Sequence, residues 1–257
     1  MQSDDIVPIS TFARTELKFV INIQQYKYLL EEVKKYMHPD IYCKDGKEYG
    51  VYNIYYDTHD NYLVRESLNK PFYKDKLRLR TYFSPASPTD WVYLEIKRKV
   101  GTVVVKRRVT WTYAQAMEYL VHGKKPEANK YYINNQVFSE IDVFMNNYEL
   151  FPKQYISYMR YAFFGHDDIE FRLTFDRKIM ERHIDLELSS PSYGSKVIGD
   201  DERILEVKID KTVPLWLARK MSELDIYRTS YSKYGTAYTG HIQDKLVTNM
   251  GDYLHAI

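Results

Sequence analysis

Charged side chains stand at every second position in six segments of this chain, with apolar residues in the gaps, and most of the charges are positive. A β-strand sends successive side chains to opposite faces, so each segment would carry one apolar face and one cationic face. The segments are Lys76-Leu77-Arg78-Leu79-Arg80, Glu95-Ile96-Lys97-Arg98-Lys99, Phe171-Arg172-Leu173-Thr174-Phe175-Asp176, Glu206-Val207-Lys208-Ile209-Asp210, Glu16-Leu17-Lys18-Phe19 and Val104-Val105-Lys106-Arg107-Arg108. Tyr158-Met159-Arg160 is a less regular seventh.

The presumed charged face holds eleven cations (Lys18, Lys76, Arg78, Arg80, Lys97, Lys99, Lys106, Arg108, Arg160, Arg172, Lys208) against four anions (Glu16, Glu95, Asp176, Glu206). The whole chain of 257 residues carries only +2, so positive charge is segregated onto this face and balanced elsewhere. An open antiparallel sheet would put such a face in water, but like charges opposite one another are destabilising there. Closing the strands into a barrel, with helices over the apolar outside, gathers the cations around a hydrated lumen. An empty lumen of that kind is under electrostatic strain and calls for an anion. Phosphates suit it, because Arg offers planar paired donors and Lys a compact point charge. Glu16, Glu95 and Glu206 among the cations could hold Mg²⁺ or Mn²⁺, which prefer oxygen ligands and bridge phosphate oxygens. The competing assignment makes Glu206 with Lys208, and Glu95 with Lys97, plain same-face ion pairs, and Lys233 a solvated helical lysine. Arg98 and Arg107 fall on the opposite face, and Asp176 is expected to orient an arginine.

Along the chain, Arg14 to Ile21 reads as a strand, followed by a helix from Asn22 or Ile23 to Tyr36 with Tyr26, Leu29, Leu30, Val33 and Met37 as its apolar stripe, stopped by Pro39. Gly50 to Asp57 is β-like, Thr58 to Asn61 a turn, and Tyr62 to Leu68 a short helical or irregular piece. Strands at Lys76 to Phe83, Trp91 to Lys99 and Thr102 to Thr110 have connections short enough for antiparallel hairpins. Helices follow at Tyr113 to Val121 and Ser139 to Tyr148, the second with Ser139 as its cap. Strands at Lys153 to Phe164, Ile169 to Ile179 and Ile204 to Lys208 precede a helix opened by Pro214 and running to Glu223. No linker separates these strands, which predicts one domain over residues 1–257.

Cys43 is the only cysteine, which fits a reducing compartment and leaves no internal disulfide. No apolar run approaches the roughly 18 residues of a membrane span, and the first residues lack the pattern of a signal peptide, so a cytoplasmic location is expected. The small net charge predicts no nucleic-acid partner. Most of the 26 tyrosines are expected to be structural, and the seven histidines show no paired metal-ligand spacing.

The chain resembles the triphosphate tunnel metalloenzyme (CYTH-like) superfamily, and within it the polyphosphate polymerase domain of the vacuolar transporter chaperone (VTC) type, over about Arg14 to Tyr238. The resemblance rests on Arg14-Thr-Glu-Leu-Lys-Phe19, Tyr55-Tyr-Asp-Thr58, Leu77-Arg-Leu-Arg-Thr-Tyr82, Leu94-Glu-Ile-Lys97, Val105-Lys-Arg-Arg108, Ser157-Tyr-Met-Arg-Tyr-Ala-Phe163, Arg172-Leu-Thr-Phe-Asp176, Leu205-Glu-Val-Lys208 and Ser232-Lys-Tyr234, in that order and spacing. It implies an α+β fold: an eight-stranded antiparallel β-tunnel with helices packed on the outside. It also implies phosphate contacts from Lys18, Arg78, Arg80, Lys97, Lys106, Arg160, Arg172 and Lys233, and makes Glu206 a metal ligand. The related triphosphatases and class IV adenylyl cyclases begin with Glu-x-Glu-x-Lys, where this chain has Arg14-Thr-Glu16-Leu-Lys18; losing the first carboxylate favours the polymerase-like branch. Larger VTC proteins carry a further regulatory domain and membrane helices, for which this chain has no room.

The expected activity is transfer of the terminal phosphoryl group of ATP to a growing polyphosphate chain, with Mn²⁺ or Mg²⁺ as cofactor and a membrane protein as a further partner. Lys18, Arg78, Arg80, Lys97, Arg160 and Arg172 would act at the reacting phosphates, with Lys76, Lys106, Arg108, Lys208 and Lys233 binding the rest of the substrate. The alternatives are a triphosphatase on the same tunnel and a non-catalytic sensor of polyphosphate or nucleotide.

Overall fold

The computed structural model describes residues 15–101, 103–127, 132–210 and 212–243. Arg14, expected in the first strand and in the opening motif, lies outside them. The elements in chain order are β1 (Thr15–Asn22), α1 (Ile23–Tyr36), β2 (Met37–Pro39), a 3-10 turn (Ile41–Gly46), β3 (Tyr49–Asp57), α2 (Tyr62–Leu68), β4 (Tyr73–Thr81), β5 (Trp91–Val100), β6 (Val103–Thr112), α3 (Tyr113–His122), α4 (Tyr132–Tyr148), β7 (Phe151–Gly165), β8 (Arg172–Arg182), β9 (Ser195–Lys196), β10 (Glu202–Ile209) and α5 (Leu215–Glu223). A last helix, α6, begins at 233 and is described to 243.

Eight strands form one antiparallel path in the order β1-β10-β8-β7-β3-β4-β5-β6, while the short β2 and β9 attach to β7 and β8. The sheet so has ten strands, two more than the eight expected, and both additions are too short to show any side-chain period. Alternation decides which way each strand faces. Leu77 and Leu79 on β4, Leu94 and Ile96 on β5, and Leu173 and Phe175 on β8 point outward and are buried. They join two apolar layers: β3 to β6 under α3 and α4, and β1, β7, β8 and β10 under α1 and α5. The inward positions carry the charges.

Asn22 caps α1 in a reciprocal capping box with Gln25, and Thr112 does the same for α3 with Gln115. α4 starts seven residues before the expected Ser139, whose hydroxyl instead donates to the Asn135 carbonyl one turn back. A helix-interior serine can make that bond, so a serine followed by helical residues is an ambiguous start signal. β8 begins at Arg172 and not at Ile169, because a turn closed by the Phe171 amide on the Asp168 carbonyl occupies the preceding residues.

No ladder joins β6 to β1 among the described residues, so the expected closed cylinder is completed differently. Side chains bridge the seam, with Lys97 Nζ of β5 lying 3.2 Å from Glu16 Oε2 of β1. α6 and α2 then cover inward-facing apolar residues at one end: Tyr234 and Ala237, with Val64, meet Val51, Tyr55, Ile156, Tyr158 and Ile204. Asp57 anchors both helices. Asn61 at the start of α2 makes no side-chain cap, and the fully buried Asp57 carboxylate accepts from the Leu63 and Val64 amides (2.8 and 2.9 Å) and from Tyr234 Oη (2.7 Å). Replacing Asp57 by Ala strands these three donors and the Thr58 amide, which also donates to it (2.8 Å), so Asp57→Ala is expected to lose at least about 3 kcal/mol in urea denaturation, and Tyr234→Phe about 1–2 kcal/mol.

Candidate functional site

The inward columns of β1, β10, β8, β7, β4, β5 and β6, together with α6, bring the sequence-selected cations around a single cavity of about 1880 Å³. Its lining includes Glu16, Lys18, Lys76, Arg78, Arg80, Lys97, Lys106, Arg108, Arg160, Arg172, Glu206, Lys208 and Lys233. Of the residues singled out from the sequence, Glu95 and Asp176 are too deeply covered to line it, at 1% and 0% exposure. Arg98 turns the other way as expected, pairing with Asp75 (3.1 Å); Arg107 pairs with Glu140 of α4 (2.7 Å) but also borders the cavity, against its expected place outside the lumen.

Two carboxylate clusters organise the cations. In the first, Glu95 Oε2 takes Arg78 Nη2 at 2.7 Å and Arg78 Nε at 2.8 Å, with Lys106 Nζ 3.5 Å from Oε1 and Arg80 Nε at 3.8 Å. Arg80 is held further by Asn53 Oδ1 (2.8 Å) and Tyr158 Oη (3.2 Å), and Arg78 donates to Tyr55 Oη (3.2 Å). In the second, Arg160 forks onto Asp176 (2.7 and 2.8 Å), and Lys233 Nζ spans Asp176 Oδ2 (2.6 Å) and Glu206 Oε1 (2.7 Å). Lys18 Nζ reaches Glu16 (3.1 Å) and Glu206 (3.6 Å). Asp176 therefore orients an arginine, as its position in the sequence suggested.

Other cations face the cavity without an ion pair among the described residues. Lys76 Nζ donates to Ser232 Oγ (2.9 Å), Arg108 lies 4.7 Å over the Tyr93 ring and Arg172 4.5 Å over the Phe164 ring. The Nε of Arg172 is buried and unbonded. Three ladders even set like charges opposite one another: Lys208 with Arg172, Lys76 with Lys97, and Lys97 with Lys106. Asn53, Tyr55, Tyr158 and Ser232 were not selected as site residues from the sequence. The first three occupy inward positions in apolar or tyrosine-rich strands, where the side-chain period was the only available signal.

A family model for the VTC domain matches residues 13–240. The chain belongs to the VTC domain family. No curated protein sequence matches it significantly. Among solved structures, a putative adenylate cyclase from Bacillus halodurans is similar at 12% identity and a TM-score of 0.52, covering 86% of this chain and 96% of its own. A protein from Hippeastrum, described as a putative adenylyl cyclase with a dominant triphosphatase activity, is similar at 16% identity and a TM-score of 0.51, covering 88% of this chain and 95% of its own. These likenesses fix the shared fold. Among the described residues, no helix of this VTC domain is long and apolar enough to cross a membrane.

The site's electrostatics divide along the same line as its geometry. Burial opposes ionisation of Glu95, but Arg78, Arg80 and Lys106 outweigh it and hold the carboxyl well below its usual range. Glu206 is likewise buried and held low by Lys233, Lys18 and Arg160, and Glu16 by Lys97 and Lys18. Three other lysines of the site respond oppositely. Burial, with Lys18 and Lys97 nearby, pushes Lys76 down to about 7. Burial pushes Lys208 down to about 8 against the pull of Glu16 and Glu206. At Lys106 the attraction of Glu95 is overcome by burial and by Arg80, Arg78 and Arg108, leaving it at about 8.

The three candidate metal carboxylates do not share one place. Glu16 and Glu206 come together at Lys18, with Asp176 alongside Glu206 at Lys233, whereas Glu95 belongs to the arginine cluster. No group of three or more His, Cys, Asp or Glu suited to a metal gathers among the described residues. A Glu16–Glu206 pair beside free cations still fits a divalent ion of the kind that takes one or two carboxylates and completes its shell with phosphate oxygens and water.

Removing Arg78 or Arg172 is expected to abolish tripolyphosphate binding while leaving the far-ultraviolet spectrum of the fold intact; unchanged affinity in calorimetry would show that the inward face is not the binding face. An anion raises the pKa of a neighbouring lysine, so Lys76, Lys106 and Lys208 take up protons when phosphate binds above about pH 7. Affinity is therefore expected to fall from pH 6 to pH 9, with net proton uptake at pH 8 in buffers of differing ionisation enthalpy.

Proposed function

We propose that this VTC domain transfers the terminal phosphoryl group of ATP to the end of a polyphosphate chain held in the same bore. The observation that carries this is the excess of cations over carboxylates along the bore. Lys208 opposite Arg172, and Lys76 opposite Lys97 opposite Lys106, are rows of repelling charge that a chain of phosphates longer than one triphosphate would neutralise together.

Phosphoryl transfer depends chiefly on alignment and on fixed charge where charge develops, and needs no covalent nucleophile from the protein. In the reaction, a terminal oxygen of the acceptor chain bonds to the γ-phosphorus of ATP, the bond from that phosphorus to the β,γ-bridging oxygen breaks, and ADP leaves. Arg78 and Arg80, oriented by Glu95, Asn53, Tyr55 and Tyr158, hold the donor phosphates together with Lys18 and Lys97. Arg160 and Lys233, fixed by Asp176, and Lys106 flank the transferring group, while Arg172, Arg108, Lys208 and Lys76 continue the cationic path. Glu206 with Glu16 would hold Mn²⁺ or Mg²⁺, which supplies further positive charge to the phosphate oxygens. The acceptor oxygen is already anionic, so no general base is required.

Hydrolysis is the second reading, supported by the likeness to the Hippeastrum protein and its described triphosphatase activity. The two differ only in whether a phosphate chain or water receives the phosphoryl group. Incubation with ATP and Mn²⁺ followed by separation by length distinguishes them. Chains longer than three phosphates are expected; orthophosphate alone assigns a hydrolase, and binding without turnover assigns a sensor. Glu206→Gln is expected to lower turnover at least about tenfold.

A further inference from the structure

The inward columns of neighbouring strands change character at one end of the bore. On β5 the inward positions after Glu95 are Tyr93 and then Trp91, which begins the strand; Tyr82, two residues after Arg80, lies just past the end of β4; on β3 the first inward position is Tyr49. The register places these at the same end, because Tyr93 is the cross-strand partner of Arg80 and Tyr49 that of Arg160. The rings touch in sequence: Tyr49 to Tyr82 at 5.8 Å and Tyr82 to Tyr93 at 5.8 Å, each edge to face. Arg108 covers Tyr93 from below. Further along β7, Phe164 lies under Arg172 and beside His38.

Tyr49 packs against the apolar layers, but the outer part of this arc is not a core. Trp91 is 54% exposed and Tyr82 39% exposed, and Trp91 borders the same cavity as Arg80, Arg108 and Arg172. Exposed aromatic faces directly above fixed cations are the two halves of a nucleotide site, since a base stacks on a ring while its phosphates neutralise the charges. A bare polyphosphate has no use for the rings.

We propose that this aromatic collar is a nucleobase subsite, so that the bore takes a nucleoside triphosphate base-outward, its phosphates meeting Arg80 directly across the ladder from Tyr93. The proposal rests on the triphosphate reading given above. Stacking carries no hydrogen-bond code, so the collar accepts any base and favours purines for their larger rings.

Calorimetry with two ligands, each in Mg²⁺, tests it: the non-hydrolysable β,γ-imido analogue of ATP, and tripolyphosphate. Trp91→Ala and Tyr82→Leu are each expected to weaken the nucleotide by about tenfold while tripolyphosphate stays within about twofold of the unmodified chain, and Tyr82→Phe is expected to retain both. Nucleotide affinity unchanged within about twofold in both variants overturns the proposal, as does an equal loss for the two ligands, which would make the rings merely structural. If the unmodified chain binds tripolyphosphate and the collar variants are indifferent, the collar alone falls. If it binds neither ligand, the triphosphate reading falls and takes the collar with it.

Discussion

Repulsion among cations facing one another across a narrow bore is the constraint on which this structure depends. Its first remedy is local. Lys18 faces Glu206 across the β1–β10 ladder, Arg160 faces Asp176 across β7–β8, and Arg78 faces Glu95 across β4–β5. Each pair consists of direct cross-strand neighbours, so the hydrogen-bond register that builds the sheet also delivers each cation to its counterion. A slip of one residue would send the slipped strand's charged member to the outside and its apolar residues to the inside, parting the pair. Register and charge neutrality are thus the same requirement, and the apolar layers under α1, α3, α4 and α5 reinforce it from the other face.

The second remedy is left to a ligand. Beyond the neutralised pairs, Lys76, Arg108, Arg172 and Lys208 have no ion pair among the described residues, and Lys76, Lys106 and Lys208 hold their protons less tightly than usual. The result is a division of labour within a single cavity. Arg78, Arg80 and Arg160 are kept charged and oriented before anything binds, which is what a site that stabilises developing charge requires. The softer lysines adjust their protonation to the anion that arrives.

Much of this was legible in the sequence because a two-residue period survives in any strand long enough to show it. β4, β5, β6 and β10 were placed by that period, and their inward cations were identified with it. β2 and β9, of three and two residues, are too short to display one. The start of α4 was misplaced because Ser139 can satisfy its hydroxyl within the helix as well as at its cap. Partner identity was the larger loss. Lys97 and Glu16 lie 81 residues apart in sequence, and Lys233 meets Asp176 and Glu206 only because α6 folds back over the sheet. No local pattern reports such meetings. The tyrosines at the aromatic end were read as structural for the same reason: β propensity explains a tyrosine in a strand equally well whether its ring is packed or presented.

The gap between β1 and β6 gives the barrel one joint made of side chains. Elsewhere, widening the circumference would break a row of backbone hydrogen bonds; at this joint, among the described residues, it would part the Lys97–Glu16 pair instead. The girth of the molecule is therefore set by a clasp and not by a hoop, and the residues of that clasp are themselves charged groups on which an incoming phosphate acts.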